Sequence, residues 1–138
     1  MTERKHRIED ALEAVKSAQE DGVVPGGGTA LLRASRKIAM VTQRQDQALG
    51  GVIIKIACAE PIKQMALNAG ESPDLIINEI ESAMDNLGWD FRKGELVDLI
   101  ESGIIDPVKV TKTALTNAVS CAGVLITTNY GIIQTENK

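Results

Sequence analysis

Apolar side chains recur every three or four positions over residues 3–20, where Ile8, Ala11, Leu12, Val15 and Ala18 share one face and Glu and Lys occupy the other. That period predicts an amphipathic helix, stopped by Asp21-Gly22. After Val23-Val24-Pro25 and the triplet Gly26-Gly27-Gly28, residues 29–41 read as a second helix. It carries Leu31, Leu32, Ala34, Ile38 and Val41 with Arg33, Arg36 and Lys37, and a polar turn over 42–47 follows it. The first two helices are expected to form an antiparallel pair. Residues 48–67 form a third helical pattern, which Pro61 should kink or break, and Asn68-Ala69-Gly70 closes it.

Ser72-Pro73 is an N-cap followed by proline at the first helical position, and Leu75, Ile76, Ile80 and Ala83 give a short fourth helix. Residues 85–93 change texture, with Asn86, Gly88, Trp89 and Phe91 close together, and read as a turn or short surface hairpin. Leu96, Val97, Leu99 and Ile100 suggest one or two further helical turns ending at Ser102-Gly103. Asp106-Pro107 opens the last long helix, with Asp106 as its capping acid. Apart from Lys109 and Lys112, residues 108–126 are apolar nearly all round, which predicts a central helix. Residues 129–135, with Tyr130, Ile132 and Ile133, suit one β-strand that pairs with the hairpin near Trp89 or with another chain. The fold class is mainly α: a helical bundle with a small β-hairpin and a C-terminal strand.

Composition narrows the functions. The chain has 138 residues, one domain or part of one, with 43% apolar and 25% charged residues and a net charge of -4. One Phe, one Trp and one Tyr leave Ala, Val, Ile and Leu to fill the core. An acidic chain with three aromatics offers neither a basic face for phosphates nor a stacking platform, so nucleic-acid partners are not expected. Cys58 and Cys121 lie far apart in apolar runs and read as buried thiols of a reducing compartment. A charged start, Met-Thr-Glu-Arg-Lys-His-Arg, is unlike a signal peptide, and no long uncharged segment spans a bilayer, so the expected location is the cytoplasm or an organelle lumen.

Three features can carry chemistry, each beside a plainer reading. Gly26-Gly27-Gly28 before a helix lets backbone N–H groups and a helix N-terminus approach an anion or nucleotide, although a glycine triplet between helices is more often a tight turn. Asp10 shares its helix with Glu9 and Glu13, where acids usually serve the helix dipole. Asp106 in Gly103-Ile104-Ile105-Asp106-Pro107 is most simply an N-cap, worth about 1 kcal/mol.

Together these features change weight. Arg7-Ile8-Glu9-Asp10-Ala11-Leu12, Gly22-Val23-Val24-Pro25-Gly26-Gly27-Gly28, Asn68-Ala69-Gly70 and Gly103-Ile104-Ile105-Asp106-Pro107-Val108-Lys109-Val110 occur in the order and spacing of one family. The sequence resembles the C-terminal part of the equatorial domain of a group I chaperonin, the bacterial and organellar 60-kDa type. The resemblance covers residues 1–138, beginning at the hinge-proximal helix and including Ala118 to Thr128, similar to the family's last helix. It implies an ATP-dependent folding chaperone in the cytoplasm, mitochondrial matrix or plastid stroma. Identical subunits would assemble in a sevenfold ring or double ring, and co-chaperonin and unfolded clients would bind through other domains.

By the same resemblance, Asp10 matches the hinge-borne aspartate that orients or deprotonates the attacking water. Gly26 and Gly27 match the glycines against the ribose, Asp106 matches the acceptor for ribose hydroxyls, and Ile104 would pack on adenine. Where the family usually has Asn and two small residues against adenine, this chain has Asp90, Phe91 and Arg92, preceded by Trp89. These aromatics either stack on the base or fill a shallow surface pocket. The family's phosphate loop and Mg²⁺-holding aspartate, in the other half of the domain, have no counterpart in this sequence. ATP, Mg²⁺ and K⁺ are therefore expected to act in the full-length protein, and the isolated chain is expected to hydrolyse no ATP. The competing expectation is a stand-alone helical assembly module that has lost ATP work.

Overall fold

The computed structural model describes residues 2–38 and 44–133. In chain order the elements are α1 (Thr2–Asp21), β1 (Val23–Pro25), α2 (Thr29–Arg36), α3 (Gln45–Ala69), α4 (Pro73–Ser82), β2 (Leu87–Asp90), β3 (Glu95–Asp98), β4 (Ile105–Pro107) and α5 (Val108–Thr127). The mainly helical expectation holds, and the helix ends follow their local signals. Gly22, at φ +82°, donates its N–H to the Ala18 carbonyl at 2.9 Å and ends α1. Ser72 stands at the N-cap of α4 with Pro73 in the first turn.

The core lies at one end of the molecule. Leu32 of α2, Ile62 and Ala66 of α3, and Ile76 and Ile80 of α4 form one buried cluster, and Trp89, Phe91 and Leu96 of the hairpin pack on its edge. Each fully buried Leu or Ile contributes about 1.5–3 kcal/mol. That packing explains why α3 continues through Pro61, so that of the expected kink or break the break does not occur. A mid-helix proline costs roughly 3 kcal/mol, but Cys58, Ile62 and Ala66 lie at four-residue spacing on both sides of it and are all buried. The Cys58 thiol is correspondingly raised in pKa by desolvation.

Several expectations need correction. The first two helices do not pair: α1 packs along α5, and α2 packs against α3 and starts after the short strand β1. β1 runs antiparallel to β4, which sets the C-terminus of α1 beside the start of α5, where Lys109 is ion-paired with Glu20. Residues 96–98 are strand, not helix. Glu95-Leu96-Val97-Asp98 pairs antiparallel with Leu87-Gly88-Trp89-Asp90, closed by Gly94 at φ +71°. Cross-strand pairing and burial of Leu99 override the weak helical period.

The last helix is not central within this chain, since none of its residues is buried and Ile126 is 74% exposed. Its nearly uniform apolar surface calls for more covering elements than the described residues supply. Cys121 is exposed rather than buried. Residues 129–133 form no strand, and Tyr130 and Ile132 stand fully in solvent; residues 134–135 of the expected strand lie outside the described residues. The second helix is shorter than expected, ending at Arg36, and the end of its predicted span, residues 39–41, lies outside the described residues.

Gly88 tests this packing. A Cβ there would lie 2.4 Å from Leu99 Cδ1 and 2.8 Å from Thr29 Oγ1, both on buried residues. Gly88→Ala is expected to destabilise the chain by about 1–3 kcal/mol in urea denaturation. Gly50→Ala, on α3 with nothing within 4 Å, should be neutral or stabilising by up to about 1 kcal/mol. Equal midpoints for the two variants would contradict the close approach of hairpin and α2.

Candidate functional site

The β1–β4 ladder registers Val24 opposite Asp106 and Pro25 opposite Ile105. The next residue, Gly26, donates its N–H to the Ile104 carbonyl at 2.9 Å. It comes so close that a Cβ on Gly26 would sit 3.1 Å from that oxygen. A larger residue here would push the two segments apart. Gly27 then turns at φ +64°, with the Trp89 carbonyl oxygen as its nearest neighbour at 3.9 Å from the Cβ position. Gly28, at φ +74°, lies against Ile62 and caps α2 without a side-chain hydrogen bond. The triplet is thus threaded between β4, the hairpin and α3, and its exit is the N-terminus of α2, where backbone N–H groups lack intrahelical partners.

The ladder brings Gly26, Gly27, Ile104 and Asp106 to one edge, with the hairpin backbone at Trp89 alongside. Asp106 is not the cap of α5. Its residue pairs in β4, the N-cap position is Pro107, and no side chain caps that helix. Burial raises the Asp106 carboxyl in pKa by desolvation. Asp106 itself is exposed, so this is a partial desolvation of a carboxyl that solvent still reaches.

The hairpin residues have prior engagements. Asp90 is buried, and its Oδ1 accepts from the backbone N–H of Arg92 at 2.9 Å and of Lys93 at 3.3 Å. It holds the turn. Phe91 and Trp89 pack against the core cluster, and Trp89 Nε1 is buried with no hydrogen-bond partner. Asp10 is exposed on α1. It lies twelve residues before Gly22, roughly 18 Å along the helix axis, so α1 itself does not carry it to the glycine edge.

Sequence reasoning missed the β1–β4 pair, the buried Thr29 and the reach of Arg33 to the hairpin. The available signal was the short apolar runs beside Gly26 and Gly103, each too brief for periodicity to register. Among the described residues, no group of three or more His, Cys, Asp or Glu is placed to hold a metal ion, and no helix is long and apolar enough to cross a membrane.

Against known proteins, the profile of the TCP-1/cpn60 chaperonin family matches residues 1–136. The open-state monomer of a group II chaperonin from Methanococcoides burtonii is similar, with TM-score 0.77 and 27% identity over 90% of this chain and 33% of that one. A group III chaperonin in the open state is also similar, with TM-score 0.76 and 30% identity over 84% of this chain and 25% of that one. The chain therefore spans a third or less of these chaperonins' length.

The Asp106 carboxyl gives a pH test. An acid whose pKa is raised by folding binds its proton more tightly in the folded state, so its contribution to stability is lost as pH rises through the raised pKa. Asp106→Asn removes that dependence. Its urea midpoint, relative to the unsubstituted chain, should rise from about pH 4 to about pH 7.5; an advantage that shrinks with pH would contradict the desolvation.

Proposed function

Since the chain belongs to the TCP-1/cpn60 chaperonin family, we propose that it is the C-terminal half of the equatorial domain of an ATP-dependent folding chaperonin, supplying the ribose and adenine side of the nucleotide site. The observation that carries this reading is the β1–β4 pairing, which gathers Gly26, Ile104 and Asp106 from two segments about eighty residues apart in sequence. Glycine backbone at Gly26 and Gly27 leaves room for a sugar to approach. Asp106 presents an acceptor for ribose hydroxyls, and Ile104 offers an apolar surface to the base. Bonds to hydroxyl donors would compensate the desolvated carboxylate.

Hydrolysis needs water placed in line with the γ-phosphorus and a carboxylate to accept its proton as the bond to ADP breaks. Asp10 takes that role in this reading, and reaching it requires α1 to reorient about the Gly22 joint. Among the described residues no group of three or more His, Cys, Asp or Glu is placed to hold Mg²⁺. The chain's own part is binding the nucleoside and positioning water. In this reading the subunits are of the group I type, identical copies in a sevenfold ring or double ring in the cytoplasm or an organelle, whereas the solved structures that the chain matches are group II and group III chaperonins. Exposed apolar residues of α3 and α5, among them Ile53, Ile56 and Leu125, support assembly with further protein surface.

Asp10→Ala in the full-length subunit is the test. ATP affinity should stay within about threefold while turnover falls by about 100-fold or more, the usual worth of a general base. Unchanged turnover would return Asp10 to a helix-surface role and remove the catalytic part of the proposal. The 138-residue chain by itself should show no ATPase above background.

A further inference from the structure

Arg33 lies one turn beyond Thr29 on α2, and its guanidinium is spent on the far wall of the site. Nη2 donates to the carbonyls of Met84 and Leu87, each at 2.6 Å, and Nη1 donates to Asp85 Oδ1 at 2.8 Å. Its side chain is only 12% exposed, whereas Asp85 is 99% exposed. The ion pair itself is therefore solvent-screened and weak. The two carbonyl bonds fix the position, because charge-assisted donation from a planar fork sets direction as well as distance. Both carbonyls stand where β2 begins.

From that anchor, β2 passes Gly88 against Thr29 and then carries the Trp89 carbonyl past Gly27. The same α2 begins at the glycine triplet. One rigid helix of two turns thus holds the glycine wall at its N-terminus and, through Arg33, the hairpin wall beside it. We infer that Arg33 is a positioning residue, setting the separation of Gly26-Gly27 from the Trp89–Arg92 segment and with it the fit of the base. It does not touch the ligand. Its Nη donors are already committed to the hairpin, so a phosphate would have to displace three hydrogen bonds to use them.

This inference rests on the nucleotide-site reading above, and its test separates the two. In the full-length subunit, Arg33→Gln removes the fork and should raise the KM for ATP about tenfold and lessen the preference for ATP over GTP, with kcat within about twofold. Arg33→Lys keeps the charge but cannot hold both carbonyls and the carboxylate in one plane, so it should recover only part of the loss. Asp85→Ala deletes only the exposed, screened partner and should leave the KM within about twofold. If Arg33→Gln does not assemble, Arg33→Lys decides. An unchanged KM and base preference in an assembled Arg33→Gln protein, or in Arg33→Lys where Arg33→Gln fails, would overturn the positioning role while leaving the nucleotide site standing. A full-length protein that neither binds nor hydrolyses ATP would overturn both.

Discussion

The hydrogen bond from Gly26 N–H to the Ile104 carbonyl, at 2.9 Å, is where the two ends of the chain are joined. The close approach favours glycine at that position, because a Cβ would lie 3.1 Å from the same oxygen. The close approach continues the three-residue β1–β4 ladder. Two strands that short have marginal stability in isolation. They are held because α1 and α5 lead away from one end of the pair and α2 from the other, and because Ile104 donates its own N–H to the Leu99 carbonyl at 2.8 Å. Leu99 is fully buried and donates to Asn86 at the foot of the hairpin. A continuous set of backbone bonds therefore runs from the hairpin through Leu99 and Ile104 to the glycine triplet.

That set joins two regions of very different packing. Around Ile62, Ile76 and Ile80 the chain has a closed core. Along α1, α5 and the first half of α3 it has apolar residues without cover, including Leu12, Val52 and Val124. An apolar cleft of about 370 Å³ between α3 and α5 is lined by Ile53, Ile54, Leu115, Val119 and Ile126. Surface of this extent is costly to leave in water. The low aromatic content fits the arrangement, since Ala, Gly and Val on helix faces permit the close approach of further helices. The aromatic residues Trp89 and Phe91 are placed where the hairpin has to be fastened to the core.

Helices were legible from the sequence because each long one carries its own period and its own stop, as α1 does with Gly22 and α3 with Gly70. What the sequence hid was pairing between distant segments. Val23-Val24-Pro25 and Ile105-Asp106-Pro107 are three residues each, too short for alternation to be seen, and both end in proline, which argues against a strand by local propensity. Asp106-Pro107 imitated a capping pair for the same reason. Residues 108–126 read as central from their composition, but composition reports how much cover a helix needs and not whether the chain itself provides it. For the site, the motif positions of Gly26, Ile104 and Asp106 were visible in sequence, whereas the reach of Arg33 across fifty-four residues to Leu87 was not. A long flexible side chain leaves no periodic trace.

Asp10 remains the residue that geometry separates most clearly from the rest of the proposed site. It stands on an exposed face of α1, about twelve helical residues from the Gly22 joint. That is roughly 18 Å of helix axis, so any chemical use of Asp10 depends on where the whole helix lies. Gly22 has a positive φ and open space around its Cβ position, and α1 buries no residue of its own face deeply. One tie across the joint is the Lys109–Glu20 pair, both partners half-exposed, and exposed pairs hold little more than about 1 kcal/mol. α1 also packs along α5, and the Gly22 carbonyl accepts from the Val108 N–H at 3.1 Å, so in the proposed reading a move of Asp10 toward a nucleotide would have to break these contacts while the β1–β4 ladder stays formed.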